Sequence, residues 1–296
     1  MVNTDFAVSH PRIRSRRIND ADVVEVVNLL TRGFSAERPR KFWEYVLASL
    51  ASRQVPHGLP RYGYIMESNG KPVGVILQIY STIWMGNTPK TRCNGSSWYV
   101  EPEYRSYAPL LVSQAFRDRS ITVLNVSPAP HTRLIAEIQG YSRYSSGLFL
   151  AVPTLGPTSD GIPVRIISGH ERPDSPFEAH EQELLRDHAA FGCISLWCVT
   201  PERAYPFVFR PRIFKRIMPS AQLVYCRELD DLVRFARPIG RYLAQRARFF
   251  VMIDSNGPID GLVGKYFHNK MPKYFWGPDI PRLGDLAYTE TAMFGI

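Results

Sequence analysis

Residues 98–111 read Trp-Tyr-Val-Glu-Pro-Glu-Tyr-Arg-Ser-Tyr-Ala-Pro-Leu-Leu, an apolar β-type run that passes through two prolines into the start of a helix. The strand, 96–100, needs a sheet to pair in. The helix, 108–117, needs a face of that sheet to cover its apolar side. Free amides and the positive end of the helix dipole gather where the two meet, which suits an anion. Around this segment β-rich and helical stretches alternate, so the expected class is α/β with a mixed sheet.

Upstream, 13–18 reads as a strand. Asn19 and Asp20 then offer side-chain oxygens to the first amides of a helix over 21–32, in which Val23, Val24, Val27 and Leu30 recur at helical spacing. A second helix spans 41–52, with Phe42, Tyr45, Val46 and Leu50 as its apolar stripe. The runs 62–67 and 71–81 flank Ser68-Asn69-Gly70, a hairpin signal. Downstream come a strand at 121–126, a short helix at 131–138 stopped by Gly140, and a strand at 144–152.

From 153 to 176 the chain gathers Pro, Gly, Ser and Asp and reads as a linker or crossing segment. A helix at 177–190 follows, then strands at 194–200, 205–209 and 223–227, and a closing strand at 285–291 whose Tyr288 and Glu290 fit either the border of a substrate cleft or an exposed strand face. The pattern Ala108-Pro109-Leu110-Leu111 leading to the run 121–128 recurs as Arg237-Pro238-Ile239-Gly240 leading to the run 249–256. The expected organisation is therefore a first domain at 1–155, a connection at 156–176, and a diverged copy at 177–296.

Composition narrows the chemistry. Cys93, Cys193, Cys198 and Cys226 are too scattered for a disulfide framework and are expected as reduced core thiols. They lack zinc spacing, and His180 and His188 stand two helical turns apart, so no metal is expected. The Ser-hydrolase elbow, phosphate-loop and zinc-protease motifs do not occur. No apolar run approaches the roughly 20 residues of a bilayer span, and residues 1–17 are polar and Arg-rich, so no membrane partner is expected and the expected location is the cytoplasm. The net charge is +9, with seven lysines among 36 basic residues. Arginine excess suits phosphate and carboxylate ligands, but the arginines are spread along the chain, and nucleic-acid binding through the helix of Arg234, Arg237 and Arg241 is not expected.

The run from Trp98 to Leu111 resembles the acyl-coenzyme A binding segment of GNAT-superfamily N-acyltransferases, where a strand ending Val-x-Pro-x-Tyr-Arg enters a glycine-containing turn and helix. The order strand, two helices, hairpin, strand before it agrees, as does Gln139-Gly140-Tyr141 after it. The resemblance covers about 12–152 and implies a tandem GNAT-like acyltransferase fold that uses acetyl-coenzyme A or another acyl-coenzyme A as co-substrate. It implies that backbone at Tyr99 and Val100 holds the acyl oxygen. Arg105, Ser106, Tyr107, Ala108, Pro109 and Leu110 would then surround the pyrophosphate. Arg105 matches the family turn, whereas Ala108 and Leu110 stand at its two small positions. The tyrosine that serves many members as general acid is replaced by Ala136, and His131 is the nearest substitute. Glu101 and Glu103 are the candidate general bases. The implied partners are a small-molecule or peptide amine acceptor and a second copy in a homodimer. The competing expectation is a catalytically silent module of the same fold that binds an acyl-coenzyme A or a protein.

Overall fold

The computed structural model describes residues 12–34, 36–86, 88–157, 161 and 163–296; the polar arm before residue 12 lies outside them. The chain forms two compact units that divide between Ile121 and Thr122, and each is described by itself.

In the first unit the strands are β1 Ile13–Arg17, β2 Gly63–Ser68, β3 Lys71–Met85 and β4 Thr88–Val100, antiparallel in that order. Asn69 and Gly70 both take positive φ in the β2–β3 turn, as the Asn-Gly pair requires. Two helices, α1 Val23–Gly33 and α2 Arg40–Ala51, separate β1 from β2, and α3 Ala108–Ala115 follows β4. The helical entry after β1 is capped as the sequence implies. Asn19 accepts from the Ala21 amide at 2.9 Å, and the Asp22 carboxylate accepts from the Asn19 amide at 2.9 Å. Arg16 donates to both oxygens of Asp22 and to Glu67, which holds the Asp22 carboxyl below its ordinary range.

Packing rotates both apolar stripes from their expected positions. On α1 the buried residues are Val26, Val27, Leu29 and Leu30, while Val24 is exposed. On α2 they are Trp43, Val46, Leu47 and Leu50, while Tyr45 is exposed. The reason is Trp43, the largest apolar side chain of α2, whose ring meets Phe34 at 5.3 Å and fixes the inward face. Adjacent residues of β4 point to opposite faces. Tyr99 lies against Gly33 at the end of α1, and Val100 joins the cluster of Met66, Val73, Ile76, Leu111 and Ala115 beneath α3. The sheet is thus covered on both sides, by α1 with α2 and by α3.

The second unit contains β5 Thr122–Asn125, α4 Arg133–Ile138, β6 Ser142–Ala151, β7 Arg165–Ser168, α5 Ala179–Ala190, β8 Ile194–Val199, β9 Ala204–Phe214 and β10 Met218–Tyr225. It continues with α6 Leu229–Arg234, α7 Ala236–Ala244, β11 Phe250–Ser255, β12 Gly264–Trp276 and α8 Glu290–Phe294. Its strands lie in the order β5-β12-β6-β11-β10-β9-β8-β7, with β10 and β11 parallel and the other pairs antiparallel. The parallel pair needs a crossover, which α6 and α7 supply. Gly240 lets α7 approach the Pro153–Leu155 turn, because a Cβ there would meet the Thr154 amide nitrogen at 2.5 Å.

Residues 285–291, expected as a strand, make one bridge, Tyr225 to Asp285, and then wind into α8. The segment is buried from Asp285 to Phe294 except at Tyr288. Local contacts explain the departure. The Tyr288 amide donates to His188 Nε2 at 3.0 Å and its hydroxyl to Asp187 at 2.8 Å, which turns the chain at a residue with φ +56. The four cysteines are buried and free, and burial pushes the Cys193 thiol up to about 11 and that of Cys226 up to about 12.

Lys273 and Asp254, on β12 and β11, form an ion pair at 3.7 Å with side chains 0% and 5% exposed. That separation is an ionic contact rather than a hydrogen bond. Burial pushes the Asp254 carboxyl up, and Lys273 opposes the shift. Lys273→Met strands the carboxylate, so stability at pH 7 should fall by about 3–5 kcal/mol. Because the folded state then favours the protonated acid, the variant should regain stability as pH falls from 7 toward 5. Urea titration at both pH values checks this; a loss that grows on acidification refutes it.

Candidate functional site

β4 and the turn after it build the candidate site. Against β3 the register runs Leu77 with Ser96, then Val75 with Tyr99. Ser97 and Trp98 therefore share one opposing position, that of Ile76, and form a β-bulge. Ser97 takes φ +49, and its hydroxyl lies 3.0 Å from that of Ser96. The bulge interrupts the ladder at Ser97 and Trp98, while Tyr99 and Val100 resume it opposite Val75 and Gly74. Beside it, the Trp98 indole nitrogen is shielded from solvent and has no hydrogen-bond partner among the described residues. A buried donor of this kind is costly unless a ligand or water accepts from it.

β4 ends at Val100, and the Glu101 amide still donates to the Val73 carbonyl at 2.9 Å. The Glu101 carboxylate accepts from Arg32 of α1, at 3.1 Å from Nε and 2.7 Å from Nη2. Residues Pro102–Tyr107 then form a tight 3-10 turn that runs directly into α3. Within it the Tyr104 amide donates to the Glu101 carbonyl at 2.9 Å, and the Ala108 amide to the Arg105 carbonyl. Pro109 has no amide. Tyr104, Tyr107 and Ala108 pack half-buried on the cluster beneath α3, whereas Glu103, Arg105, Ser106, Pro109 and Leu110 face solvent. The turn thus presents a guanidinium, a hydroxyl and a carboxylate outward from an apolar anchor.

The structure keeps Tyr99 to Leu110 as one continuous segment but points its parts apart. Tyr99 turns toward α1, Val100 toward α3, and Arg105 to solvent. His131 belongs to the second unit, where it is exposed in the Pro130–Thr132 turn before α4. Ala136, at the position of the missing tyrosine, is buried on α4. At the end of β10 in the second unit the polar groups are paired internally. Cys226 is buried, its amide donates to Gly284 at 3.0 Å, Arg282 donates to its carbonyl, and Arg227 donates to Glu181 and to the Ala204 carbonyl.

Three residues escaped sequence reasoning. Arg32 gave no local sign of its reach to Glu101, 69 positions away. Ser97 and Trp98 did leave one, because Gly95-Ser96-Ser97 puts small residues inside a strand, a common mark of a bulge.

No protein-family model and no curated protein matches the chain. Solved structures do. A GCN5-related N-acetyltransferase from Anabaena variabilis, 11% identical, aligns over 89% of this chain and 72% of its own at TM-score 0.53. A probable N-acyltransferase from Enterococcus faecalis, 12% identical, aligns over 93% and 73% at TM-score 0.54. A putative acetyltransferase from Pyrococcus horikoshii, 11% identical, aligns over 93% of each chain at TM-score 0.52. The chain therefore has the fold of the GCN5-related N-acetyltransferases, the one its sequence resembles.

The Arg32 to Glu101 pair is partly exposed, at 52% and 24%. Arg32→Ala is expected to lower stability by at most about 1 kcal/mol in a denaturant titration. A larger loss would make the pair a structural tie at the site's edge.

Proposed function

We propose that this chain transfers an acyl group from an acyl-coenzyme A to an amine by direct attack. The observation that carries the reading is the β4 bulge, with the unfilled Trp98 donor beside it, leading within the GCN5-related fold to a turn that exposes Arg105. Arg105 suits a pyrophosphate, since a guanidinium pairs with two phosphate oxygens at once. The Ser106 hydroxyl adds a further donor.

In the reaction the amine nitrogen attacks the thioester carbon, and the C–N bond forms as the C–S bond breaks. Negative charge that develops on the carbonyl oxygen is met by backbone amides near Tyr99 and Val100. The proton lost by the amine goes to a carboxylate, directly or through water. Glu103, exposed on the turn, is better placed to receive it than Glu101, whose oxygen is engaged by Arg32. The departing sulfur takes up a proton from solvent. Most of the rate comes from holding the two reactants in line. The reading includes a cytoplasmic setting, a small-molecule or peptide amine, a cofactor-bearing part at 1–155 and a degenerate copy at 177–296.

A second reading, a silent module that binds an acyl-coenzyme A or a protein, draws on one observation. The turn already consumes amides within its own 3-10 bonds, and Leu110 stands exposed where the family has a small residue.

Calorimetric titration with acetyl-coenzyme A, free coenzyme A and a medium-chain acyl-coenzyme A tests the site. Arg105→Ala should weaken binding about 10- to 100-fold, the loss of a charge-assisted contact. Leu110→Gly should tighten it by opening the approach. Turnover with an amine panel then separates the readings. Binding without turnover selects the silent module, and no binding to any of the three rejects both acyl-coenzyme A readings.

A further inference from the structure

Three stretches of the second unit, 203–227, 232–253 and 261–278, contain no Asp or Glu. They correspond to β9 with β10, α7 with β11, and β12, which the sheet sets close together. Four of their cations, Lys215, Arg216, Arg248 and Lys265, belong to one end of it. Arg248 Nη1 donates to the Arg212 carbonyl at 3.5 Å, and the Phe249 amide donates to the Pro219 carbonyl at 3.3 Å. These contacts bring the end of α7 onto the β9–β10 hairpin. The Phe214 and Phe267 rings meet at 5.8 Å, with Lys215 Nζ 5.8 Å and 5.7 Å from them and Lys265 Nζ 5.7 Å from Phe267. That links the hairpin to β12.

The same end exposes large apolar side chains. Ile213 is 63% exposed, Ile217 80% and Phe249 48%. Behind them sits a small apolar cluster, Leu148, Leu150, Phe214 and Met252, with Met218, Phe250, Phe267 and Met271 half-covering it. The hairpin turn itself places Lys215 at φ +49 and Arg216 at φ +66. Positive φ in a hairpin loop ordinarily falls to Gly or Asn, because other side chains are strained there. Here that conformation is held by two cations flanked by two exposed isoleucines.

We propose that this end of the second unit, centred on Ile213 to Ile217 with Phe249, docks on an anionic lipid bilayer surface. It is a partner that sequence reading set aside. Both halves of the patch are needed by such a partner. Exposed aliphatic tips enter the boundary between headgroups and acyl chains, and surrounding Lys and Arg meet the negative surface potential while their stems lie along apolar surface. A nucleic-acid backbone would use the cations but gains nothing from Ile213 and Ile217. The aromatic faces it would stack on, Phe214 and Phe267, carry Lys215 above them. The patch is independent of the acyl-transfer chemistry and holds whether or not that chemistry does.

The test is flotation of the full chain with vesicles of phosphatidylcholine alone and of phosphatidylcholine with 30% phosphatidylserine, in 0.1 M salt. The chain should float with the anionic vesicles only. Lys215→Glu with Arg216→Glu should cut partitioning by at least about 25-fold, on the basis of about fivefold for each cation removed. Ile213→Ser with Ile217→Ser should cut it by about tenfold or more while leaving the thermal melt unchanged, since these residues are exposed. Binding untouched by the isoleucine pair would be charge attraction alone and would overturn the proposal. So would failure to float together with tight binding of a fluorescent oligonucleotide that the charge pair abolishes.

Discussion

Side-chain alternation along β4 is the constraint on which the first unit depends. Tyr99 and Val100, one peptide apart, must serve opposite faces, and each meets a helix. The Tyr99 ring fits against Gly33, where a Cβ would come within 2.4 Å of it, while Val100 sits in the cluster that seats α3. Slipping the strand by one residue would exchange the two environments. The bulge at Ser97 and Trp98 absorbs such a one-residue offset. Ser96 and Tyr99 lie three apart, yet their β3 partners, Leu77 and Val75, lie only two apart. The irregularity that opens the backbone is therefore also what lets the same strand satisfy both of its helices.

Much of this architecture was legible in the sequence because it rests on local chemistry. The Asn19 cap, the Asn69-Gly70 turn, the entry of α3 behind Pro102 and Pro109, and the GCN5-related fold carried by the run from Trp98 to Leu111 all depend on residues close together in the chain. What escaped reading depends on residues far apart. The inward faces of α1 and α2 were set by Trp43 meeting Phe34 across a loop, not by the valine spacing that suggested Val24. Glu101 looked like a free carboxylate until Arg32 reached it. Residues 285–291 have strand-like composition, but His188 and Asp187 of α5 bend them into a turn and short helix.

Among the described residues, buried polar atoms without a partner occur in both units, Trp98 in the first and Trp197 and Gln222 in the second. At the end of β10, Arg227 and Arg282 close on Glu181 and on backbone carbonyls. Lys215 and Arg216 lie at the opposite end of β10.

Strand order in the second unit also has a temporal side. β12, at 264–276, lies between β5 and β6, whose residues come more than a hundred positions earlier. On a ribosome, β5 and β6 emerge first and find no partner in each other, so their inner edges stay unpaired until β12 is made. Unpaired edges invite association with other chains, and contacts of such long sequence separation form slowly. During synthesis this gap in the sheet is the part of the protein with most need of a chaperone, and shortening the delay between 151 and 264 is the change that would relieve it.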